Sequence, residues 1–165
     1  ENSSVSTSIV AVSFRLYAFD LYEHRAELVK KSAERLELNV IISGVNDASA
    51  YSDTIPEADR ILCDVPCSGF GIVRRKPEIR YKNLDSIKDL PEIQLNILKT
   101  SAMYLKDGGR IIYSTCTLNK KENEKVVSAF LNEHSGFSLE YDKTIFPSAN
   151  GGDGFYFAVL TKNYD

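Results

Sequence analysis

Short apolar runs alternate with amphipathic stretches along most of this chain. Arg15 to Phe19 is apolar and aromatic and closes on an acid, Asp20, as a short buried strand would. From Glu23 to Leu36 the apolar positions Leu28, Val29, Ala33 and Leu36 recur at helical spacing. Val40-Ile41-Ile42 predicts a second strand turned by Gly44, and the polar stretch Asp47 to Asp59 predicts a loop. Arg60-Ile61-Leu62-Cys63 predicts a third strand, again ending at an acid, Asp64. A long loop rich in Pro, Gly and Arg follows, from Val65 to about Asp85; loops of that length inside a domain are usually functional.

Leu90 to Leu105 predicts a helix with Leu90, Ile93, Ile97, Leu98 and Ala102 near one face, stopped by Gly108-Gly109. Arg110 to Ser114 predicts a strand. Asn119 with Glu122 three residues later resembles a capping box for a helix that buries Val126, Val127, Phe130 and Leu131. Two late strands, Phe137–Tyr141 and Phe155–Leu160, flank a Gly-rich stretch from Asn150 to Gly154. Residues Glu1 to Ser13 are rich in Ser and Val and show no period.

Strand–helix alternation with short, continuously apolar strands predicts an α/β fold around a mostly parallel sheet covered on both faces. The last two strands lack an intervening helix and are expected to pair antiparallel at one edge. The length of 165 residues fits one domain, and a hydrophobic fraction of 43% is ordinary for a packed core. The expected division is an unmatched segment over 1–14 and one domain over 15–165.

Composition narrows the function classes. No apolar run is long enough to span a bilayer, and the first residues have no basic stretch ahead of an apolar one, so neither a membrane span nor a signal peptide is expected. Three cysteines, Cys63, Cys67 and Cys116, are an odd and sparse set, which points to a reducing, cytoplasmic compartment rather than a disulfide framework. Their spacing, with only His24 and His134 as histidines, gives no metal-ligand pattern, so no metal is expected. Net charge is −3, so a nucleic-acid partner must be met through a local basic patch.

Three acids follow predicted strands: Asp20, Asp47 and Asp64. Ligands of open parallel sheets bind beyond the carboxyl ends of the strands, and an acid there commonly takes ribose hydroxyls, although acids also end strands simply to make turns. Asp64-Val65-Pro66-Cys67-Ser68-Gly69 sets one thiol past a strand, and Ser114-Thr115-Cys116-Thr117 sets another. Either cysteine alone would read as a small buried hydrophobe; two at strand ends, beside hydroxyls and a basic loop, suggest thiolate catalysis. The loop between them carries Arg74-Arg75-Lys76-Pro77 and Arg80-Tyr81-Lys82, the only dense basic stretch, suited to phosphate and base contacts.

These segments resemble the RsmB/Sun family of RNA 5-methylcytosine methyltransferases. The likeness is carried by Phe19-Asp20-Leu21-Tyr22-Glu23-His24-Arg25, Asp64-Val65-Pro66-Cys67-Ser68-Gly69, Ile72-Val73-Arg74-Arg75-Lys76-Pro77, Tyr113-Ser114-Thr115-Cys116-Thr117-Leu118-Asn119, Glu122-Asn123-Glu124 and Asp153-Gly154-Phe155-Tyr156. The resemblance implies a Rossmann-like methyltransferase fold, S-adenosylmethionine as cofactor, and methyl transfer to C5 of a cytosine in RNA, ribosomal RNA above all. It implies Cys116 as nucleophile and Cys67 as the thiol that helps release product. It further implies cofactor contacts from Asp20, Asp47 and Asp64, and RNA contacts from Arg74, Arg75, Lys76 and Arg80.

The family's Ala-Pro-Gly-Gly-Lys cofactor loop does not occur here; Ser3 to Ser13 stand in its place. That implies a catalytic domain truncated on its N-terminal side, lacking the first strand, the glycine loop and the family's upstream helical RNA-binding domain, and binding the cofactor weakly or not at all. Two other classes stay open: a DNA cytosine methyltransferase, which would not need the Thr-Cys motif, and a degenerate domain that binds RNA or a protein partner without turnover.

Overall fold

In a computed structural model, which describes residues 14–148 and 151–164, the strands sort into a two-stranded and a four-stranded sheet. The Ser/Val-rich stretch 1–13 and Asn150 of the predicted Gly-rich loop lie outside the described residues. The chain divides into two units, one up to Asp47 and one from Ala48 onward.

The first unit is a βαβ arrangement. Strand β1 (Leu16–Asp20) runs parallel to β2 (Ile41–Val45), with Asp20 level with Val45, and α1 (Glu23–Arg35) connects them. Helix α1 buries Ala26 and Ala33. Leu28 and Leu36, expected on the packed face, are exposed and line an open apolar groove of about 300 Å³ with Val29, Ala33, Leu38 and Ile41. The helix ends in a Schellman motif: Leu38 N–H donates to Ala33 C=O at 2.9 Å and Glu37 N–H to Glu34 C=O at 3.0 Å. Glu37 fills the left-handed position at φ 56°, usually glycine's. Gly44, predicted as a turn, lies inside β2 instead, because Phe19 on the paired strand packs over it.

The second unit holds the core. Its sheet order is β3-β4-β6-β5, from β3 (Ala58–Asp64), β4 (Leu105–Thr115), β5 (Phe137–Ile145) and β6 (Phe155–Lys162). β3 and β4 are parallel; β6 runs antiparallel to both β4 and β5, as its missing crossover helix predicts. Helices α2 (Leu90–Met103) and α3 (Glu124–Glu133) pack against each other over one face of this sheet. Alternation along β4 and β6 places Ile111, Tyr113, Tyr156, Ala158 and Leu160 under Leu98 and Phe130, all fully buried. On the opposite face Leu62 is 68% exposed and Ile112 40% exposed, so cover on both faces is not seen within this unit.

Three sequence expectations are corrected here. Gly108-Gly109 does not stop α2, which ends at Met103; both glycines lie within β4, and Gly108, at φ 70°, sits where a Cβ would strike the Tyr164 ring. Ile93 is exposed, and Gln94 turns inward in its place. Asn119 does not cap α3, which begins at Glu124. Its Oδ1 instead accepts Lys121 N–H at 3.1 Å in an Asx-type turn, and Glu122 faces the interior.

Candidate active site

The parallel pairing of β3 with β4 sets Asp64 level with Ser114, so both strands release their chains at one edge. Cys67 lies three residues past β3 and Cys116 one residue past β4. Their sulfurs come to 3.0 Å, a hydrogen-bonding distance, and both side chains are half-buried.

Backbone contacts lock the two loops. Gly71 N–H donates to Cys116 C=O at 2.9 Å, and Gly154 N–H donates to Gly71 C=O at 2.7 Å. A Cβ on Gly71 would collide with the Gly154 carbonyl, so this crossing of three segments requires glycine. Ser68 and Thr117, each next to a cysteine in sequence, join their hydroxyls at 2.8 Å in full burial.

The two thiols differ electrostatically. Cys116 is held down at about 7, chiefly by the hydrogen bond from Cys67, with Lys76 adding to the pull and burial and Asp64 opposing it. Cys67 is driven far up by the same bond and by burial. The pair therefore reads as a Cys67 S–H donating to a Cys116 thiolate. Cys63 is buried, its thiol pushed up to about 11 by that burial, and it stands apart from this chemistry.

The predicted acids fall at strand ends. Asp20 ends β1; its Oδ1 accepts Tyr22 N–H at 2.9 Å and its Oδ2 lies 3.8 Å from Arg25. Asp47 is exposed, two residues past β2. Asp64 ends β3, exposed, with Ser114 Oγ at 3.4 Å from Oδ1. Along the basic loop, Arg74 reaches Ser148 C=O at 3.2 Å and Arg75 pairs with Asp153 at 3.2 Å. Lys76 and Arg80 are exposed. Lys82 donates to Ser68 C=O at 2.9 Å, which ties this loop to the Cys67 loop.

Sequence pattern alone misses Gln94, Glu122, Asn123 and the Gly71–Gly154 crossing. Glu122-Asn123-Glu124 is visible as a motif, but the spacing of Glu122 from Asn119 suggests a helix cap. Gln94 gives no signal beyond being a polar residue beside an apolar stripe.

The family model described as 16S rRNA methyltransferase RsmB/F matches residues 4–161. The "Probable ribosomal RNA small subunit methyltransferase B" of Bacillus subtilis is 39% identical over 165 residues, covering 88% of this chain and 37% of that protein. The chain thus spans little more than a third of the length of this curated relative. Among solved structures, PH0851 superposes with a TM-score of 0.83 at 32% identity, over 90% of this chain and 37% of that one. NSun6 from Pyrococcus horikoshii, solved with SFG, gives 0.80 at 26% identity over 92% and 42%. The fold is the Rossmann-like one of methyltransferases that use S-adenosylmethionine, with a mixed sheet.

Proposed function

The chain belongs to the 16S rRNA methyltransferase RsmB/F family, and on that premise we propose that it transfers a methyl group from S-adenosylmethionine to C5 of a cytosine in ribosomal RNA through a covalent bond between Cys116 and C6. The observation that carries this reading is the Cys67–Cys116 pair, two sulfurs 3.0 Å apart with only Cys116 held near neutral.

Cytosine C5 is a poor nucleophile. When the Cys116 thiolate forms a bond to C6, the electron pair of the C5–C6 double bond moves toward C5, which becomes an enamine carbon. S-Adenosylmethionine supplies a methyl group activated on a sulfonium. Once C5 is methylated, its proton leaves to a base, the C5–C6 double bond reforms, and the C6–S bond breaks to return the thiolate. Cys67, donating its S–H toward the departing sulfur, stabilises the negative charge there and so favours release.

The donor chemistry of the strand-end acids fits the cofactor. Asp20 has one oxygen on Tyr22 N–H and the other facing Arg25 across 3.8 Å, which leaves acceptor capacity for hydroxyls. In this reading Asp20 and Asp47 bind the nucleoside part of the cofactor, and Asp64 adds a contact there or at the cytosine edge. Arg74, Arg75, Lys76 and Arg80 meet RNA phosphates.

The test is a trapping contrast on ribosomal RNA in the full chain. Cys116→Ser should abolish methylation and form no covalent RNA species, since a hydroxyl is a far weaker nucleophile than a thiolate. Cys67→Ser should permit attack and methyl transfer but stall elimination, so a protein–RNA adduct accumulates and survives denaturing electrophoresis. Accumulation in the Cys116 variant and none in the Cys67 variant would reverse the two roles. Activity in both without any adduct would end the thiol mechanism.

A further inference from the structure

One buried carboxylate touches both cysteine loops and has no part in the chemistry above. Glu122 is 1% exposed. Its Oε2 accepts Ser68 N–H at 2.8 Å and the Gln94 amide at 3.1 Å, and its Oε1 accepts the Asn119 amide at 2.8 Å. Gln94, fully buried, spends the same amide on Pro66 C=O at 2.8 Å. The two peptide groups that flank Cys67, at Pro66 and Ser68, are therefore both held through this cluster. Glu122 is fixed in turn by its own carbonyl, which accepts the Tyr113 hydroxyl at 2.6 Å.

The Cys116 side is held by the next residue. Asn123 Oδ1 accepts the Thr115 hydroxyl at 2.6 Å, and its amide donates to Thr117 C=O at 3.0 Å. Thr115 and Thr117 flank Cys116 as Pro66 and Ser68 flank Cys67. Consecutive residues, Glu122 and Asn123, thus grip the two thiol loops, and the helix α3 that follows them is anchored in the core by Val126, Val127 and Phe130. Glu122 meets three N–H donors and no cation among these bonds. A buried carboxylate of that kind costs desolvation, which its three N–H donors must offset.

We propose that Glu122 is a positioning residue for the thiol pair: its carboxylate, 2.8 Å from Ser68 N–H, holds the Cys67 loop at the Cys116 loop so that the two sulfurs stay at 3.0 Å. This assignment rests on the thiol mechanism above for its meaning in catalysis, but it is testable without RNA or cofactor. Oxidation by diamide joins two neighbouring thiols into a disulfide, the two hydrogens passing to the azo group to give the hydrazine. The rate of that closure reports how often the sulfurs meet. Alkylation of Cys116 by iodoacetamide across pH reports whether Cys67 still donates to it.

Glu122→Gln turns an NH2 group toward the Asn119 amide, a donor against a donor. Adding Asn119→Asp restores an acceptor there. The introduced carboxylate can still take Lys121 N–H, and the amide oxygen brought in by Glu122→Gln can still take Ser68 N–H. In the full chain, Glu122→Gln should slow closure of the Cys67–Cys116 disulfide by about tenfold or more and shift Cys116 alkylation to higher pH, as the loss of a hydrogen bond to a charged group would. The double variant N119D/E122Q should return closure to within about threefold of the wild type, because every bond is remade with the charge moved by three residues. Methylation should follow the same order, through kcat rather than the KM for RNA. Wild-type closure and an unchanged pH profile in Glu122→Gln would overturn the proposal, even if methylation fell. Where Glu122→Gln alone does not fold, the double variant decides: fast closure supports the proposal and slow closure overturns it. Failure of both variants to fold also overturns it, since Glu122 would then hold up the domain rather than the thiols. Thiol effects as described in a protein that methylates nothing would sustain this assignment and remove the proposed function instead.

Discussion

Cys67 leaves β3 through Val65 and the rigid Pro66, whereas Cys116 follows β4 at once, and the two sulfurs end 3.0 Å apart with opposite characters. Cys67 is driven up by its bond to Cys116 and by burial; Cys116 is drawn down to about 7 by the same bond. One hydrogen bond thus does both: the sulfur that donates keeps its proton, and the one that accepts is stabilised without it. The surroundings act on top of that bond. Lys76 favours charge on Cys116, Asp64 opposes it, and burial opposes charge on both. In the proposed mechanism a nucleophile and a release group are thus the same residue type, told apart by which one gives the hydrogen.

The largest expected effect comes from removing that donor. In the wild type, Cys116 alkylation should rise with pH around a midpoint near 7, against an ordinary thiol value of 9.0. At pH 7 about half of Cys116 is then thiolate, where an unperturbed thiol would be about 1% ionised. Cys67→Ala should move the midpoint up toward the ordinary value, so that iodoacetamide labelling at pH 7 falls by about tenfold or more while labelling at pH 10 changes little. The sign follows from the donor's role, since losing a bond to the charged form raises the pKa. An unmoved midpoint would mean that Cys67 does not donate, and the contrast between the thiols would have to lie in Lys76 and burial alone. Cys63 should stay unlabelled throughout in the folded protein, its thiol buried and held up to about 11.

Asp64 provides a smaller effect of opposite sign. It ends β3 level with Ser114, and it is the chief charge opposing ionisation of Cys116. Asp64→Asn should therefore lower the labelling midpoint of Cys116 below the wild-type value. Its effect on methylation should run the other way, because the same side chain is assigned to the cofactor or to the cytosine edge. A variant with a more reactive thiol and a poorer enzyme would separate the two roles of Asp64, whereas a fall in both would leave Asp64 as a contributor to local structure.

Sequence pattern reaches most of the elements and both thiols, for a local reason. Strand runs, helix periods and the acids at strand ends are each written within a dozen residues, and a cysteine one step past a strand needs only the strand to be placed. What pattern misses is what long-range contacts decide. Gln94 turns inward instead of Ile93 because its amide finds Pro66 C=O and Glu122, partners 28 residues away in either direction. Gly108-Gly109 reads as a helix stop until Tyr164 is known to lie over Gly108 within β4. Glu122 has the spacing of a capping box, but its carboxylate is taken by Ser68 N–H, 54 residues distant in sequence. Leu28 and Leu36 are exposed where their period predicts packing, since a helical period marks an apolar stripe without saying what covers it. In the candidate site, therefore, the two thiols are legible in the sequence and the groups that hold them are not.

Lys76 gives the smallest of these effects and tests the surroundings most directly. It is exposed on the basic loop and is the weakest of the influences that lower Cys116. Lys76→Met keeps the length and apolar stem of the side chain and removes its charge. The Cys116 midpoint should rise, by less than in Cys67→Ala, because a charge acting through solvent is weaker than a direct hydrogen bond. Salt separates the two causes. Raising ionic strength to about 1 M, where the screening length falls to roughly 3 Å, mutes the exposed Lys76 and Asp64 charges alike, so the gap between the wild-type and Lys76→Met midpoints should narrow. The Cys67 contribution should survive that salt, since it acts across 3.0 Å between half-buried sulfurs. If the gap between the wild type and Lys76→Met is as wide in salt as without it, the variant acts through something other than the lost charge of Lys76.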